Sequence, residues 1–169
     1  MMKNLIMIRG AMGVGKTTVS RELQKLLPNA VFLDGDWCWN ANPLVVNDET
    51  KTMVLDNIIH LLTNFLTCSA YKNIIFCWVM QDRNTVLDIT EPLSYLQRIS
   101  FRVFEYSLVC GKESLRQRLA GEIAAGLREP DIINRSLEYL PLYKNAIGKI
   151  DVSDISAKET AEIIADMII

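Results

Sequence analysis

The sequence predicts an α/β fold in which helices cover both faces of a parallel β-sheet. Short apolar runs alternate with helix-length amphipathic stretches along the 169 residues, a pattern typical of strand–helix–strand units. Residues 73–80 are almost continuously apolar, which favours a central strand buried on both faces. A glycine-rich segment, residues 10–17, follows the first apolar run and precedes the first amphipathic stretch, where α/β proteins bind phosphate.

The first half of the chain contains three predicted strands and two predicted helices. Residues 5–8 form the first strand, and the first helix runs from about Lys16 until Pro28 stops it. Residues 30–33 form the second strand. Apolar residues at helical spacing predict a second helix from about 49 to 68, and the apolar run described above is the third strand.

The second half of the chain predicts two further strands with helices between and after them. Residues 102–109 form the fourth strand, and apolar residues at helical spacing follow over 115–127. Pro130 and Pro141 bound another helical segment. The fifth strand lies near 149–152, and the Ser-x-x-Glu sequence after it predicts a capping box that opens the last helix.

Residues 10–17 match the phosphate-loop pattern GxxxxGK[ST] in full. Glycine permits positive φ and close approach of backbone amides to phosphate oxygens, and successive amides at a helix N-terminus attract anions. We therefore expect ATP to bind here, with Lys16 on its β and γ phosphates and Thr17 as a ligand of Mg²⁺. Thr18 either donates to the α phosphate or only begins the helix. The predicted nucleotide-binding residues of this loop are Gly10, Gly13, Val14, Gly15, Lys16, Thr17 and Thr18.

Carboxylates follow the second and third predicted strands. Asp34 and Asp36 lie at the sheet edge where ligands bind in open α/β folds. Because they flank Gly35, one could face the metal and the other the crevice, although Asp-Gly-Asp is also a common turn sequence. Asp82, after the third strand, either holds a magnesium-bound water or caps a helix.

Arginines and tryptophans supply the remaining candidates. Phosphoryl transfer needs mobile cations that close over the γ phosphate, and Arg128, between the candidate hinge Gly126 and Pro130, suits this role best. The late arginines are Arg116, Arg118, Arg128 and Arg135. The acceptor would lie between the second strand, the second helix and Arg83. Tryptophans that could stack on its ring, or simply fill the core, are Trp37 and Trp39.

Charge and composition restrict the partners. The net charge of −2 and a pI near 5.5 argue against a nucleic-acid or anionic-membrane partner, because such proteins usually carry a basic excess. Four scattered cysteines and a single histidine form no zinc pattern. The first apolar run is too short for a signal peptide or a membrane span. We therefore expect a cytoplasmic protein that acts on a small molecule.

Taken together, these segments resemble the nucleoside-monophosphate-kinase-like group of P-loop kinases, which includes shikimate, gluconate and chloramphenicol-modifying kinases. The matching segments are residues 10–18, 32–36, 113–119 and 150–154. The resemblance implies a three-layer P-loop NTPase fold with a five-stranded parallel sheet in the order 2-3-1-4-5. It also implies one domain over residues 1–169 and a helical lid near 112–145.

The resemblance also assigns roles to individual residues. It implies that Asp34 is the magnesium-side carboxylate, that Asp36 is the base for the acceptor hydroxyl, and that Arg118 packs on adenine. Residues 153–156 resemble the loop that closes around the base. Residues 81–83 read Gln-Asp-Arg in place of a glycine-rich substrate signature, so the sequence matches no known substrate class.

The leading functional hypothesis is transfer of the γ phosphate of Mg-ATP to a hydroxyl, or a phosphate, of an unidentified small molecule. A non-catalytic ATP/ADP-binding switch would need the phosphate loop but no acceptor base. A nucleic-acid 5′-hydroxyl kinase would use a similar loop, and the acidic pI disfavours it. The sequence leaves the acceptor and the oligomeric state open.

Overall fold

The computed structural model describes residues 2–97 and 99–168. Its five strands form one sheet in the order β2-β3-β1-β4-β5, and all neighbouring pairs are parallel. The fold class and the strand order predicted from the sequence are confirmed. The strands are β1 (Lys3–Gly10), β2 (Ala30–Asp34), β3 (Asn73–Trp78), β4 (Phe101–Val109) and β5 (Lys149–Asp151).

Helices connect the strands and cover the sheet. Among the residues described, none of these helices has the length and apolar character needed to cross a membrane. Two short 3-10 helices, Gly35–Trp39 and Leu140–Tyr143, supplement them. The α-helices are α1 (Lys16–Leu26), α2 (Asp48–Thr67), α3 (Arg83–Ser94), α4 (Lys112–Ala124), α5 (Ile132–Tyr139) and α6 (Ala157–Ile168).

Two features of residues 73–94 differ from the sequence prediction. The third strand ends at Trp78 rather than at residue 80, because Met80 has a φ of 39°, which extended backbone does not accommodate. Helix α3 was predicted only as the alternative in which Asp82 caps a helix, and its extent was not predicted. Its apolar positions repeat at helical spacing, but Pro92 lies inside the helix, and proline normally argues against a helix interior.

The core has two layers, one on each face of the sheet. All eight residues of β1 are buried, and their side chains alternate between the layers. Ile6 and Ile8 pack with α1 and α6, whereas Leu5 and Met7 pack with α2 and α3. A strand that faces helices on both sides is apolar over its central positions, which explains the continuous apolar runs in the sequence.

A third, smaller cluster joins the loop after β1 to the segment 112–145. Its buried members are Ala11 of the loop together with Leu115, Leu119, Ile132 and Tyr143. Within the segment, residues 124–131 are all exposed. The segment is therefore anchored at both ends and projects only in its middle.

Candidate active site

A cleft of about 880 Å³ lies at the carboxyl edge of the sheet. The loop between β1 and α1, the ends of β2 and β3, and parts of α2, α3 and α5 line it. Open α/β sheets bind ligands at this edge. The cleft therefore contains the site that the phosphate loop predicts.

The backbone of the phosphate loop depends on its glycines. Gly10, Gly13 and Gly15 have φ values of 152°, 77° and 105°, which residues with a Cβ rarely adopt. A Cβ on Gly10 would lie 2.6 Å from the carbonyl oxygen of Leu108, and a Cβ on Gly13 would overlap the Leu119 side chain. The loop therefore packs directly against β4 and α4.

Neighbouring residues fix the rest of the loop. Val14 is fully buried in the core layer on the α1 side, so its side chain anchors the loop. Gly15 is the N-cap of α1, which directs the amide groups of the first turn at the cleft. Thr18 in that turn is exposed and lines the cleft.

Lys16 lies over the loop that precedes it. Its Nζ donates hydrogen bonds to the carbonyl oxygens of Gly10 and Ala11, each at 3.0 Å. Burial lowers the pKa of Lys16, and the carboxylates of Asp34 and Asp36 oppose that effect. An ammonium in this position can neutralise a phosphate that the loop amides bind.

Thr17 and Asp34 form a pair of oxygen ligands beside the loop. The Thr17 hydroxyl donates to Asp34 Oδ2 at 2.6 Å, and the Asp36 amide donates to Asp34 Oδ1 at 3.1 Å. Asp34 is buried, so its carboxylate is held in one orientation. Asp34 thus accepts a hydrogen bond within its own turn and also lines the cleft.

This pair fits a magnesium ion that shares its coordination with a nucleotide. In the described part of the chain, no three histidine, cysteine, aspartate or glutamate residues are grouped as a metal cage. Magnesium commonly uses one or two protein oxygen ligands, with waters and substrate phosphates completing its shell. Thr17 and Asp34 are oxygen donors of that kind.

Asp36 belongs to an aromatic cluster that faces the cleft. Its Oδ1 accepts a hydrogen bond from Trp78 Nε1 at 3.1 Å, and Trp39 meets Trp78 edge-on with ring centroids 6.3 Å apart. A Cβ on Gly35 would lie 2.5 Å from Trp78 Cγ, so glycine is needed there for the indole to reach Asp36. Trp78 was not among the predicted site residues, because its position in a buried strand indicates a core role.

The late arginines occupy different positions. Arg128 and Arg135 line the cleft; Arg128 Nε lies 3.1 Å from Glu122 Oε2, and Arg135 Nη1 lies 3.2 Å from Asp131 Oδ2. Arg118 instead donates to the carbonyl of Val14 at 2.8 Å and to that of Val152. It therefore ties the phosphate loop to the segment after β5, on the side of the cleft where the resemblance locates adenine.

Gly10, Val14 and Arg118 support the phosphate loop without lining the cleft, and three candidates from the strand ends also lie outside its lining. Trp37 is 52% exposed and packs edge-on against Phe32 at 5.2 Å, and Arg83 is an exposed residue at the start of α3. Asp82 is the N-cap of α3 and accepts from the Thr85 amide at 2.8 Å. Hydrogen bonds from Thr85 lower the pKa of Asp82. This geometry favours the helix-capping alternative for Asp82.

Comparison with known proteins identifies the fold. A family model described as an AAA domain matches residues 6–134, and no curated protein matches the chain significantly. The tunicamycin resistance protein of Deinococcus radiodurans aligns with 98% of this chain and 95% of its own, at a TM-score of 0.72 and 17% identity. A gluconokinase from Sinorhizobium meliloti aligns over 98% and 95%, at 0.63 and 15%. Shikimate kinase from Acinetobacter baumannii, solved with shikimate, aligns over 99% and 93%, at 0.59 and 21%.

The alignments extend over nearly the whole of each chain, so the likeness includes the sheet, both helical layers and the segment 112–145. The resemblance predicted from the sequence is confirmed. The chain belongs to the AAA domain family and has the fold of the P-loop small-molecule kinases.

Proposed function

We propose that this protein transfers the γ-phosphoryl group of Mg-ATP to a hydroxyl group of a small molecule. The observation that carries the proposal is the presence of two carboxylates with different surroundings in one cleft. Asp34 is buried against Thr17 of the phosphate loop, whereas Asp36 is exposed beside two tryptophans. A nucleotide-binding switch needs the first carboxylate but has no use for the second.

On the nucleotide side, the amides of the phosphate loop bind the phosphate oxygens of ATP. Lys16 exchanges its two carbonyl acceptors for oxygens of the β and γ phosphates. Thr17 and Asp34 hold Mg²⁺, directly or through water. When bound, the ion supplies positive charge to the phosphates and so reduces their repulsion of an incoming oxygen.

On the acceptor side, Asp36 orients the acceptor hydroxyl and takes its proton. The hydroxyl oxygen forms a bond to the γ phosphorus as the bond from that phosphorus to the β–γ bridging oxygen breaks. The bridging oxygen and its electron pair leave as part of ADP. The indole N–H of Trp78 donates to Asp36, which fixes the carboxylate in the orientation that it needs.

Arg128 and Arg135 supply cations above the phosphates. Both arginines have acidic partners on exposed surface, and exposed ion pairs are weak. Either arginine can therefore leave its carboxylate partner and bind the transferring phosphoryl group at a small cost in free energy. Arg128 lies in the exposed part of the segment 112–145, so we assign it the closing role and propose that this segment acts as the lid.

The binding of adenine and the cellular location complete the proposal. Arg118 lies between the phosphate loop and Val152, where its guanidinium can pack on adenine, with residues 153–156 beside it. The cysteines at 38, 68, 77 and 110 are all unpaired, which fits a reducing cytoplasm.

A screen of acceptors tests the proposal. ADP release is measured with Mg-ATP and a panel of nucleosides, nucleotides, sugars, sugar acids and hydroxylated antibiotics. We expect multiple-turnover ADP release that requires one acceptor class and that Lys16→Ala abolishes. ATP binding without acceptor-dependent turnover across the panel would instead favour the switch.

A further inference from the structure

The two ends of the cleft differ in chemistry, and the difference bears on the acceptor. The strand order places β2 and β3 on one side of β1 and places β4 and β5 on the other. The nucleotide contacts described above lie over β1 and toward β5. We define the acceptor half of the cleft as the part lined by the ends of β2 and β3, the loop 40–46, α2 and α3.

Large apolar side chains form one wall of the acceptor half, beside the polar Asn40, Gln81 and Thr85. Trp39, Trp78, Leu55 and Met80 line its wall, and the loop over it adds Leu44 and Val46, which are 56% and 58% exposed. Loops are usually polar where they meet water, so large apolar side chains directed at a cleft indicate an apolar ligand. A bound ring would remove this surface from water.

The charges of the acceptor half do not favour an anion. Its charged residues are Asp34, Asp36, Asp88 and Lys51, which gives three negative groups and one positive. Lys51 is exposed, its ammonium lies 3.8 Å from Asp48 Oδ1, and it is the one cation that faces these acids from this half of the described cleft lining. A carboxylate or phosphate on the acceptor would lose its hydration here and would meet more negative than positive charge.

Resting on the proposed function, we infer that the acceptor is an uncharged, hydroxylated molecule with an aromatic or otherwise apolar ring. The ring contacts Trp39 and the loop 40–46, and one hydroxyl reaches Asp36. Sugar acids and nucleoside monophosphates are the excluded alternatives. Arg135 also lines the cleft, but it belongs to α5 and lies outside the acceptor half.

Matched pairs of probes isolate the effect of charge. Phenyl β-D-glucoside and phenyl β-D-glucuronide differ by one carboxylate, and uridine and uridine 5′-monophosphate differ by one phosphate. Calorimetric titration of the full chain with ADP present gives the affinity for each probe. We expect the uncharged member of each pair to bind about tenfold more tightly or better. Equal or tighter binding of the anionic members, or no binding of either uncharged probe, would overturn the inference.

Two variants locate the bound ring, and Tyr95→Ala is the control. Trp39→Ala should weaken binding of phenyl β-D-glucoside about five- to tenfold, and Tyr95→Ala should not, since Tyr95 is 82% exposed and lies outside the cleft. Leu44→Lys changes an exposed loop residue, so the fold should tolerate it. In this variant, the difference in affinity between phenyl β-D-glucoside and phenyl β-D-glucuronide should become smaller or change sign. An unchanged preference in Leu44→Lys would contradict a ring site beneath this loop.

The outcomes of these binding experiments can be distinguished from a failure of the proposed function. Turnover with anionic acceptors only would uphold the kinase and overturn the uncharged acceptor. Tight binding of the uncharged probes without ADP release from any acceptor in the screen would uphold the ligand class and remove the kinase.

Discussion

Asp34 and Asp36 are two residues apart, yet the fold gives them different surroundings. Asp34 is buried and bonded to the Thr17 hydroxyl, whereas Asp36 is exposed and bonded to an indole N–H. Because Gly35 has no Cβ, Trp78 can pack close enough to reach Asp36. The proposed division between a metal-side and an acceptor-side carboxylate thus depends on packing around three consecutive residues.

Lys16→Ala should weaken ATP binding by roughly 10- to 100-fold, because a charge-assisted contact to phosphate is lost. Lys25→Ala is the matched control: Lys25 is also on α1, but it is exposed and pairs with Glu22 at 2.6 Å. Calorimetric titration of both variants with Mg-ATP measures the difference. Equal affinities in the two variants would remove Lys16 from the phosphate site.

Cys77 predicts a dependence of stability on pH. Burial raises the pKa of its thiol to about 12, from an ordinary value of 9.0. Above pH 9 the unfolded chain therefore loses this proton while the folded chain keeps it, so folding stability falls as the pH rises from 9 toward 12. Cys77→Ala should flatten the fall in the free energy of unfolding between pH 9 and pH 10.5, as measured by urea denaturation. An identical pH profile in the variant would contradict this assignment.

At the scale of elements, the segment 112–145 is held to the rest of the protein near its ends and is exposed in its middle. Ser136 is buried and donates to the carbonyl of Met12 in the phosphate loop, and the Tyr143 hydroxyl donates to the carbonyl of Val79 at 2.5 Å. These bonds join α5 and the 3-10 helix after it to the ends of β1 and β3. Motion that closes the cleft is therefore expected in residues 124–131 rather than in the whole segment.

Arg128→Ala should lower the maximal rate more than it lowers ATP affinity, because its contact to the γ phosphate is expected mainly in the closed state. Arg116→Ala, an exposed change on α4, serves as the control. Steady-state kinetics and calorimetry separate the two effects. Weaker ATP binding with an unchanged maximal rate would place Arg128 in ground-state binding.

Two glycines near the loop give a matched test of packing between elements. Gly13→Ala should destabilise the protein by about 1–3 kcal/mol, because the new methyl group overlaps Leu119 and φ is positive. Gly121→Ala has nothing within 4 Å of its Cβ and lies inside α4, so it should stabilise the protein by up to about 1 kcal/mol. Urea denaturation compares the two variants. Similar stabilities would show that the loop does not pack on α4 as described.

At the scale of the whole molecule, periodicity and one motif were sufficient to predict most of the fold. Continuous apolar runs identify central strands, and the phosphate loop fixes the junction of β1 with α1. The extent of helix α3 was not predicted, because Pro92 lies inside it and proline normally argues against a helix interior. The cluster of Asp36, Trp39 and Trp78 could be predicted only in part, because Trp78 reaches Asp36 through the pairing of β2 with β3, and spacing along the chain does not reveal that contact.

The central claim is that Asp36 receives a proton during phosphoryl transfer. Asp36→Asn keeps the oxygen that accepts from Trp78 but removes the base, so Mg-ATP affinity should survive. Turnover with the acceptor that the screen identifies should fall by about 10²–10⁴-fold. Asp34→Asn should instead raise the magnesium concentration that turnover requires, and Asp56→Asn, an exposed change on α2 outside the cleft, should have little effect.

The most direct measurement is therefore acceptor-dependent ADP release in Asp36→Asn, made beside calorimetric binding of Mg-ATP to the same protein. We predict normal nucleotide binding together with turnover that is reduced about 10²-fold or more. Undiminished turnover in a variant that binds Mg-ATP normally would contradict the account.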